Sequence, residues 1–358
     1  AGWKRAETFS SVSPRISFAF PISEKTVFNA QWGKFVQMPA LGQMYAGLHN
    51  YANRLRGGFF IPIPTAFGFK PTKTTSYELG ITQGIGDFMS VSVNGYYKDI
   101  KDQLTYQIIK VDKNSVYQDY SSFMNGDYAT TKGIEVVLRM RLDRLTVNGN
   151  ISFQDARGTG SNPSSNAGIV GASIEGVTFR PQYISPLSFE FPISGNLNVD
   201  NRFGNEVGVA SVLRQLGASA SIRFSSGHPY TLGTGGLNAS TDARFRTPLE
   251  ALNTSLTPNQ LYFDLRVDKS FSILNNLKAN VYVFVINVFN IQNSLQVNLK
   301  TGNTEDNGDI NNPDIVKQNI SNYGQLYRDA ELALYEYGNY GNYSGPRQIR
   351  VGLRLEFQ

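Results

Sequence analysis

The chain has 358 residues, with 33 Lys and Arg against 28 Asp and Glu; the net charge of +5 is spread without a basic run, so no nucleic-acid partner is expected. Cysteine is absent, which excludes a disulfide scaffold and thiolate metal sites, and no apolar stretch approaches the ~18 residues of a membrane-spanning helix. With 23 Phe, 19 Tyr and 34 Gly, and no helix-forming runs of Ala, Leu, Glu and Lys, the composition points to β-structure.

The amino end shows neither a signal-peptide pattern nor an initiating methionine, and the expectation is an internal or processed piece. Strands then follow by their period-two alternation, because successive side chains on a strand point to opposite faces. In chain order they are "PRISFAF" (14–20), "TVFNAQWGKFV" (26–36), "TSYELGITQ" (75–83), "MSVSVNGYY" (89–97) and "GIEVVLRMRL" (133–142). There follow "LTVNGNISFQ" (145–154), "LNVDNRF" (197–203), "LGASASIRF" (216–224), "LYFDLRV" (261–267), "VYVFVINVF" (281–289) and a closing strand over 349–357. In 133–142, Ile134, Val136, Leu138, Met140 and Leu142 take one parity, and Glu135, Arg139 and Arg141 the other. The stretch 281–289 is apolar on both parities and reads either as a strand buried on both sides or as a short core helix; its β-branched and aromatic content favours the strand.

The gaps carry more information than the strands. Tight breaks ("PISEK", "GIGD", "DR", "GNEVG", "ILNN") alternate with long polar ones at 37–74, 98–130, 155–188, 225–258 and 291–345. A soluble sandwich or solenoid gives no reason for that alternation. A transmembrane barrel requires it: one rim has short periplasmic turns and the other long extracellular loops, with an apolar face toward lipid and a polar lumen. The sheet must close, since an open edge in hydrocarbon leaves backbone groups unpaired at several kcal/mol each. Tyr97, Phe153, Phe203, Phe224 and Phe357, near strand ends, suit interfacial girdles. The last strand enters from a long gap, which puts the carboxyl terminus in the periplasm. Eleven strands make first and last parallel, whereas antiparallel closure needs an even number; the expectation is therefore the later part of a larger barrel, with a strand hidden in "GGFFIPIP" (58–65) as the alternative.

Six stretches carry a resemblance: 69–104, 125–141 ("NGDYATTKGIEVVLRMR"), "SSGHPYT" (225–231), "DLRVDKSF" (264–271), "NVFNIQN" (287–293) and "GPRQIRVGLRLEF" (345–357). In this order they resemble the carboxyl half of the barrel of outer-membrane TonB-dependent receptors, of the Bacteroidota kind with a carboxypeptidase-regulatory-like amino-terminal extension. The resemblance implies an all-β, antiparallel transmembrane barrel of 22 strands, of which about eleven are here. It further implies an amino-terminal plug and coupling to the TonB complex through that part, neither visible in these residues. Active uptake of a large or scarce nutrient is the implied function. A receptor-like scaffold or cap subunit in a larger outer-membrane assembly is the alternative, with a surface lipoprotein or other subunits as partners; a barrel hydrolase is a distant third.

The chemical motifs are few. The histidines are His49 and His228, both in long gaps, and no GxSxG, HExxH or phosphate-loop pattern occurs, so neither an enzyme nor a cofactor is expected. Ser226 lies two residues from His228, but a serine hydrolase needs its base oriented by a third group, and "SSGHPYT" reads more simply as a strand end and turn. The stretch 303–314 puts Asn303, Glu305, Asn307, Gly308, Asp309 and Asp314 on the positions of a calcium loop. Asn at the first position, Asp at the last and no flanking helices weaken that reading, and no metal is expected. Ligand contact is assigned to the long gaps through Tyr45, His228, Tyr230, Tyr323, Tyr327, Tyr335 and Tyr337, whose rings offer area at low entropic cost; Tyr340 and Tyr343 belong to the same cluster. Glu135, Arg139, Arg141, Asp200, Arg202, Arg223, Asp264, Arg266, Asp268, Arg350 and Arg354 form a lumenal set expected to pair internally and with a plug.

Overall fold

The computed structural model describes residues 9–40, 65–66, 69–109, 120–163, 165, 184–188, 190–204, 210–234, 247–274, 277–305, 308, 313–333 and 342–357. Its frame is a single sheet of eleven long strands: β1 (Arg15–Ser23), β2 (Thr26–Gln37), β3 (Thr72–Ile85), β4 (Met89–Ile109), β5 (Tyr120–Leu142) and β6 (Leu145–Gly158), then β7 (Ile193–Arg202), β8 (Leu216–Ser225), β9 (Gln260–Leu274), β10 (Leu277–Ile286) and β11 (Gln348–Phe357). Each pairs antiparallel with its neighbours in sequence. Eleven was the number expected from the alternation. Two-residue strands at Thr65–Ala66 and Ser185–Pro186 attach to β5 and β6 off this path, and the rest of 58–65 lies outside the described residues.

Register carries the apolar parity across the whole sheet. One row runs Phe18, Ala30, Leu79, Gly95, Ile134, Phe153 and Ile193. Another runs Leu197, Ile222 and Phe263, and Val267, Val283 and Val351 align beyond it. These side chains are not buried. Leu79 is 59% exposed, Phe18 57% and Ile134 51%, and among the described residues no second sheet covers them. Of the few buried apolar side chains, Ala129, Ala156 and Leu187 form a small cluster set toward the long connections. A sheet whose oily face stays uncovered is the expected wall of a lipid-facing barrel. The edge strands β1 and β11 run the same way, toward the tight-turn rim, and both are exposed along nearly their full length.

Three expectations need correction. The long gap 98–130 is mostly strand: β4 continues to Ile109 and β5 begins at Tyr120, with the register shifted around Asp102, whose φ is 61°. Two successive register shifts there, between Ile100 and Gln103 and between Gln103 and Leu104, interrupt the ladder and hide the continuation from a period-two reading. The stretch 281–289 is a strand only through Ile286, since Asn287 turns out of it at φ 53°. The gap 291–345 holds two helices, α1 (Pro313–Tyr323) and α2 (Gln325–Ala333). Gly324, at φ 80°, caps α1 by donating its N–H to Ile320 O at 2.8 Å, the left-handed cap that favours glycine.

Candidate functional site

The polar face is where charged chemistry gathers. Cross-strand register puts Glu135, Arg139, Arg141, Asp200, Arg202, Arg223, Asp264, Arg266, Asp268, Arg350 and Arg354 on one side of the sheet. Their densest part spans β7 to β10. Arg202 grips Asp268 with two bonds of 3.0 Å, Nη1 to Oδ2 and Nη2 to Oδ1, and Asn280 Nδ2 adds a third at 2.7 Å. Asp268 is only 3% exposed, so this pairing is what allows a carboxylate to sit there ionised. Arg223 Nη2 donates to Asp264 Oδ2 at 3.0 Å, and the Asn287 N–H takes Oδ1 at 2.9 Å. The Ser219 hydroxyl donates to Asp200.

The aromatic side chains on the polar parity of β9 and β10 now have a reason. The Arg266 guanidinium lies 4.4 Å from the Tyr282 ring centre, and that of Arg223 5.1 Å from the Tyr262 ring centre. Tyr282 in turn lies across Gly352 on β11, where a Cβ would come within 2.3 Å of the ring. The arginines thus close the side of a cavity of about 580 Å3 lined by Thr146, Asn198, Asp200, Ser221, Asp264 and Phe284 among others. Pairing inside the set is therefore found for Arg202 with Asp268 and Arg223 with Asp264, and Arg354 meets Glu356 at 3.1 Å. Arg350 instead donates to Gln348 Oε1 at 2.9 Å. Arg139 and Arg141 are exposed on the same face.

At the long-loop rim, side-chain amides replace missing backbone partners. Asn293 is 1% exposed; its Oδ1 accepts the Leu261 N–H at 2.7 Å and its Nδ2 donates to Leu261 O at 2.8 Å, continuing the ladder where β9 begins. Asn253 Nδ2 donates to Ser161 Oγ at 3.1 Å and Pro186 O at 2.6 Å, tying the connection after β8 to the one after β6. Gly233 N–H reaches Leu299 O at 2.9 Å, adding the connection after β10. The Glu250 carboxylate accepts the Leu232 N–H at 2.6 Å and the Ser255 hydroxyl at 2.8 Å; the Leu232 amide above all holds it below the usual carboxylate range.

An antiparallel meander with an uncovered oily face, an ion-paired polar face and unequal rims is the geometry of an outer-membrane barrel wall. The family model for "TonB dependent receptor-like, beta-barrel" matches residues 3–288. The chain belongs to the TonB-dependent receptor β-barrel family. Three solved structures share the fold of this TonB-dependent receptor segment. Pyoverdine-bound FpvA of P. aeruginosa is 12% identical, with 96% of this chain and 32% of that one covered and a TM-score of 0.53. The outer membrane transporter YddB from Escherichia coli is 15% identical, covering 79% and 38% with a TM-score of 0.52. A ferric enterobactin receptor (PfeA) mutant from Pseudomonas aeruginosa is 14% identical, covering 78% and 35% with a TM-score of 0.50. The chain spans about a third of the length of these structures. No curated protein matches it.

The remaining sequence candidates scatter over this receptor wall. The His228 ring stands edge-on to Phe191 at 5.7 Å and its Nδ1 faces Pro229 O at 3.4 Å, while Ser226 Oγ accepts the Ile193 N–H at 3.0 Å. The serine and the imidazole thus serve separate backbone contacts. Tyr230 is 9% exposed, packed under the connections rather than presented at their surface. Tyr323 is 64% exposed and lies 6.1 Å from Tyr327, whose hydroxyl accepts from Asn319 at 2.8 Å. The Tyr343 hydroxyl donates to Glu305 at 2.8 Å. Tyr45, His49, Tyr335, Tyr337 and Tyr340 lie outside the described residues. So do Asn307 and Asp309 of the calcium-like stretch; Asn303 Oδ1 there accepts the Glu305 N–H at 2.8 Å, and a helix does follow it, contrary to expectation, with Asp314 in the first turn of α1.

Proposed function

We propose that this chain is the carboxyl-terminal half of a 22-stranded outer-membrane receptor that imports a large or scarce nutrient past a plug, powered by TonB. The observation that carries the reading is the register: aligned, predominantly apolar rows on one face and buried, ion-paired carboxylates on the other. Eleven further strands would supply even-numbered closure and cover both exposed edges. In this reading the tight turns and carboxyl terminus face the periplasm, the long connections face outward, and the polar set lines the lumen against a plug. The resemblance to Bacteroidota receptors supports an amino-terminal extension on the full protein. Ligand capture falls to the long connections, Tyr323 and Tyr327 among them. The likeness to pyoverdine-bound FpvA and to a ferric enterobactin receptor supports receptor-mediated uptake without fixing the substrate, because outward loops vary independently of the wall. Deleting the gene and following growth on single nutrient sources, with and without TonB, tests this. Growth lost in both strains supports TonB-driven import. Uptake that persists without TonB overturns it and favours a scaffold subunit, for which the exposed Tyr323 and Leu326 at the joint of α1 and α2 would be the docking point.

A further inference from the structure

The apolar face is not uniform. Toward the long connections, the row Leu79, Gly95, Ile134, Phe153 is followed by Trp32, Tyr77, Tyr97, Lys132 and Asp155, and then by Lys34, Thr75, Asp99, Thr130 and Arg157. Within two steps along the strands the surface passes from hydrocarbon-like to aromatic to charged. At this border the missing side chain of Gly95 opens a hollow of about 650 Å3, lined chiefly by Tyr77, Leu79, Tyr97, Ile134 and Phe153, with Lys132 and Asp155 at its upper lip. A Cβ on Gly95 would meet nothing nearer than Leu79 O at 4.0 Å, so the space is open and the backbone does not demand glycine.

The charges above the hollow are unevenly satisfied. Arg157 Nε holds Asp155 Oδ1 at 2.8 Å, while Lys132 Nζ lies 3.6 Å from Oδ2, beyond hydrogen-bond reach, with its side chain 63% exposed. One strand over, Lys101 pairs Asp99 at 3.0 Å and is equally exposed. Cations at the level where acyl chains give way to headgroups attract phosphate, and an ammonium with unused donors binds it best. Hydrocarbon gives no hydrophobic force between a chain and the wall, so retention of one lipid over others rests on shape fit and headgroup charge, both of which meet here.

We propose that this hollow is a lipid site: one acyl chain of a phosphate-bearing outer-leaflet lipid lies over Gly95 between Leu79 and Phe153, with its phosphate on Lys132. The outer-leaflet assignment rests on the orientation given under the proposed function. The test uses the full-length receptor, extracted in a non-ionic detergent and analysed by native mass spectrometry after incubation with vesicles of neutral phospholipid with or without a phosphorylated lipid-A-type glycolipid. One phosphorylated lipid per barrel is expected to survive delipidation. Gly95→Leu, which fills the hollow, and Lys132→Gln, which removes the charge, should each lower its occupancy about tenfold, as loss of one charge-assisted contact or its steric equivalent implies. Heat-modifiability on gels checks that both variants fold; should Gly95→Leu fail, Lys132→Gln and the same lipid without its phosphate give the same comparison. Equal retention by wild type and variants, or full displacement by millimolar inorganic phosphate, overturns the proposal. Nutrient uptake does not enter the readout, so loss of TonB dependence would refute the transport reading while leaving lipid retention to stand or fall alone.

Discussion

Leu138 offers the sharpest test of which face meets lipid. It pairs with Val91 and Gly149 in the apolar rows, six residues below Lys132 and five above the Asp143 turn. At ~3.3 Å per residue and a ~45° tilt, those eleven residues cover about 25 Å of depth, the height of an outer-membrane apolar band, and put Leu138 about 14 Å below its upper border. Leu138→Arg should therefore cost ~2 to 4 kcal/mol, the range for a cation near the midplane. Asn150→Arg is the control: it lies at nearly the same height on the polar face, opposite Val137 and Asn196. Losing its bond to Asn196 should cost about 1 kcal/mol or less. Reversible urea titration of the full-length receptor refolded into vesicles, followed by tryptophan fluorescence, measures both. Equal costs, or a larger one at Asn150, would refute the assignment of faces.

Asn293→Ala removes both partners of the Leu261 backbone and should cost about 2 to 4 kcal/mol, one unsatisfied group each for donor and acceptor; faster hydrogen exchange of the Leu261 amide reports it. Arg202→Met strips the bidentate partner from Asp268, but because Arg202 is itself half exposed the ~3 to 5 kcal/mol of a fully buried pair falls to about 1 to 3; urea titration should also show Arg202→Met/Asp268→Leu recovering part of the loss. Glu250 has its carboxyl held below the usual range, so its contribution is fully present above the unfolded-state value near 4.5 and disappears as pH falls through the lower folded one. Acidifying from neutral into that range should accelerate exchange at Leu232 before it affects β9. Unchanged order at Leu232 would remove Glu250 from the account.

The wall was legible in the sequence wherever lipid and lumen impose opposite demands on neighbouring residues. Leu145, Val147 and Ile151 alternate because one side cannot be polar and the other need not be apolar. Beyond the headgroups that constraint ends, and the upper halves of β4 and β5 became invisible, all the more because two register shifts around Asp102 interrupt their ladder. The two-sided apolar pattern of β10 remained ambiguous for want of its neighbours: Tyr282 and Phe284 face the polar side, where they lie against arginine and a cavity. Charges could be sorted by face from parity alone, but partners such as Arg202 and Asp268, 66 positions apart, depend on strand register that turns of unknown length set. Helix α1 left separate marks, Pro313 at its first turn and Gly324 at its end, which a polar gap without apolar period does not invite one to join. Asn253, Asn287 and Asn293 left nothing beyond their positions near strand ends, since a side chain that imitates backbone has no period.

The odd number of long strands among the described residues also bears on how the proposed barrel would be completed. Because β1 and β11 descend together, two copies standing upright in one bilayer would meet edge to edge with strands running parallel, contrary to the alternating ladder elsewhere in the sheet. A twofold axis lying in the bilayer plane would repair the ladder only by turning one copy upside down, its long connections on the wrong side. In the proposed barrel a self-made ring is thereby disfavoured, and the closing arc would be a different stretch of polypeptide whose two border strands run opposite to β1 and β11.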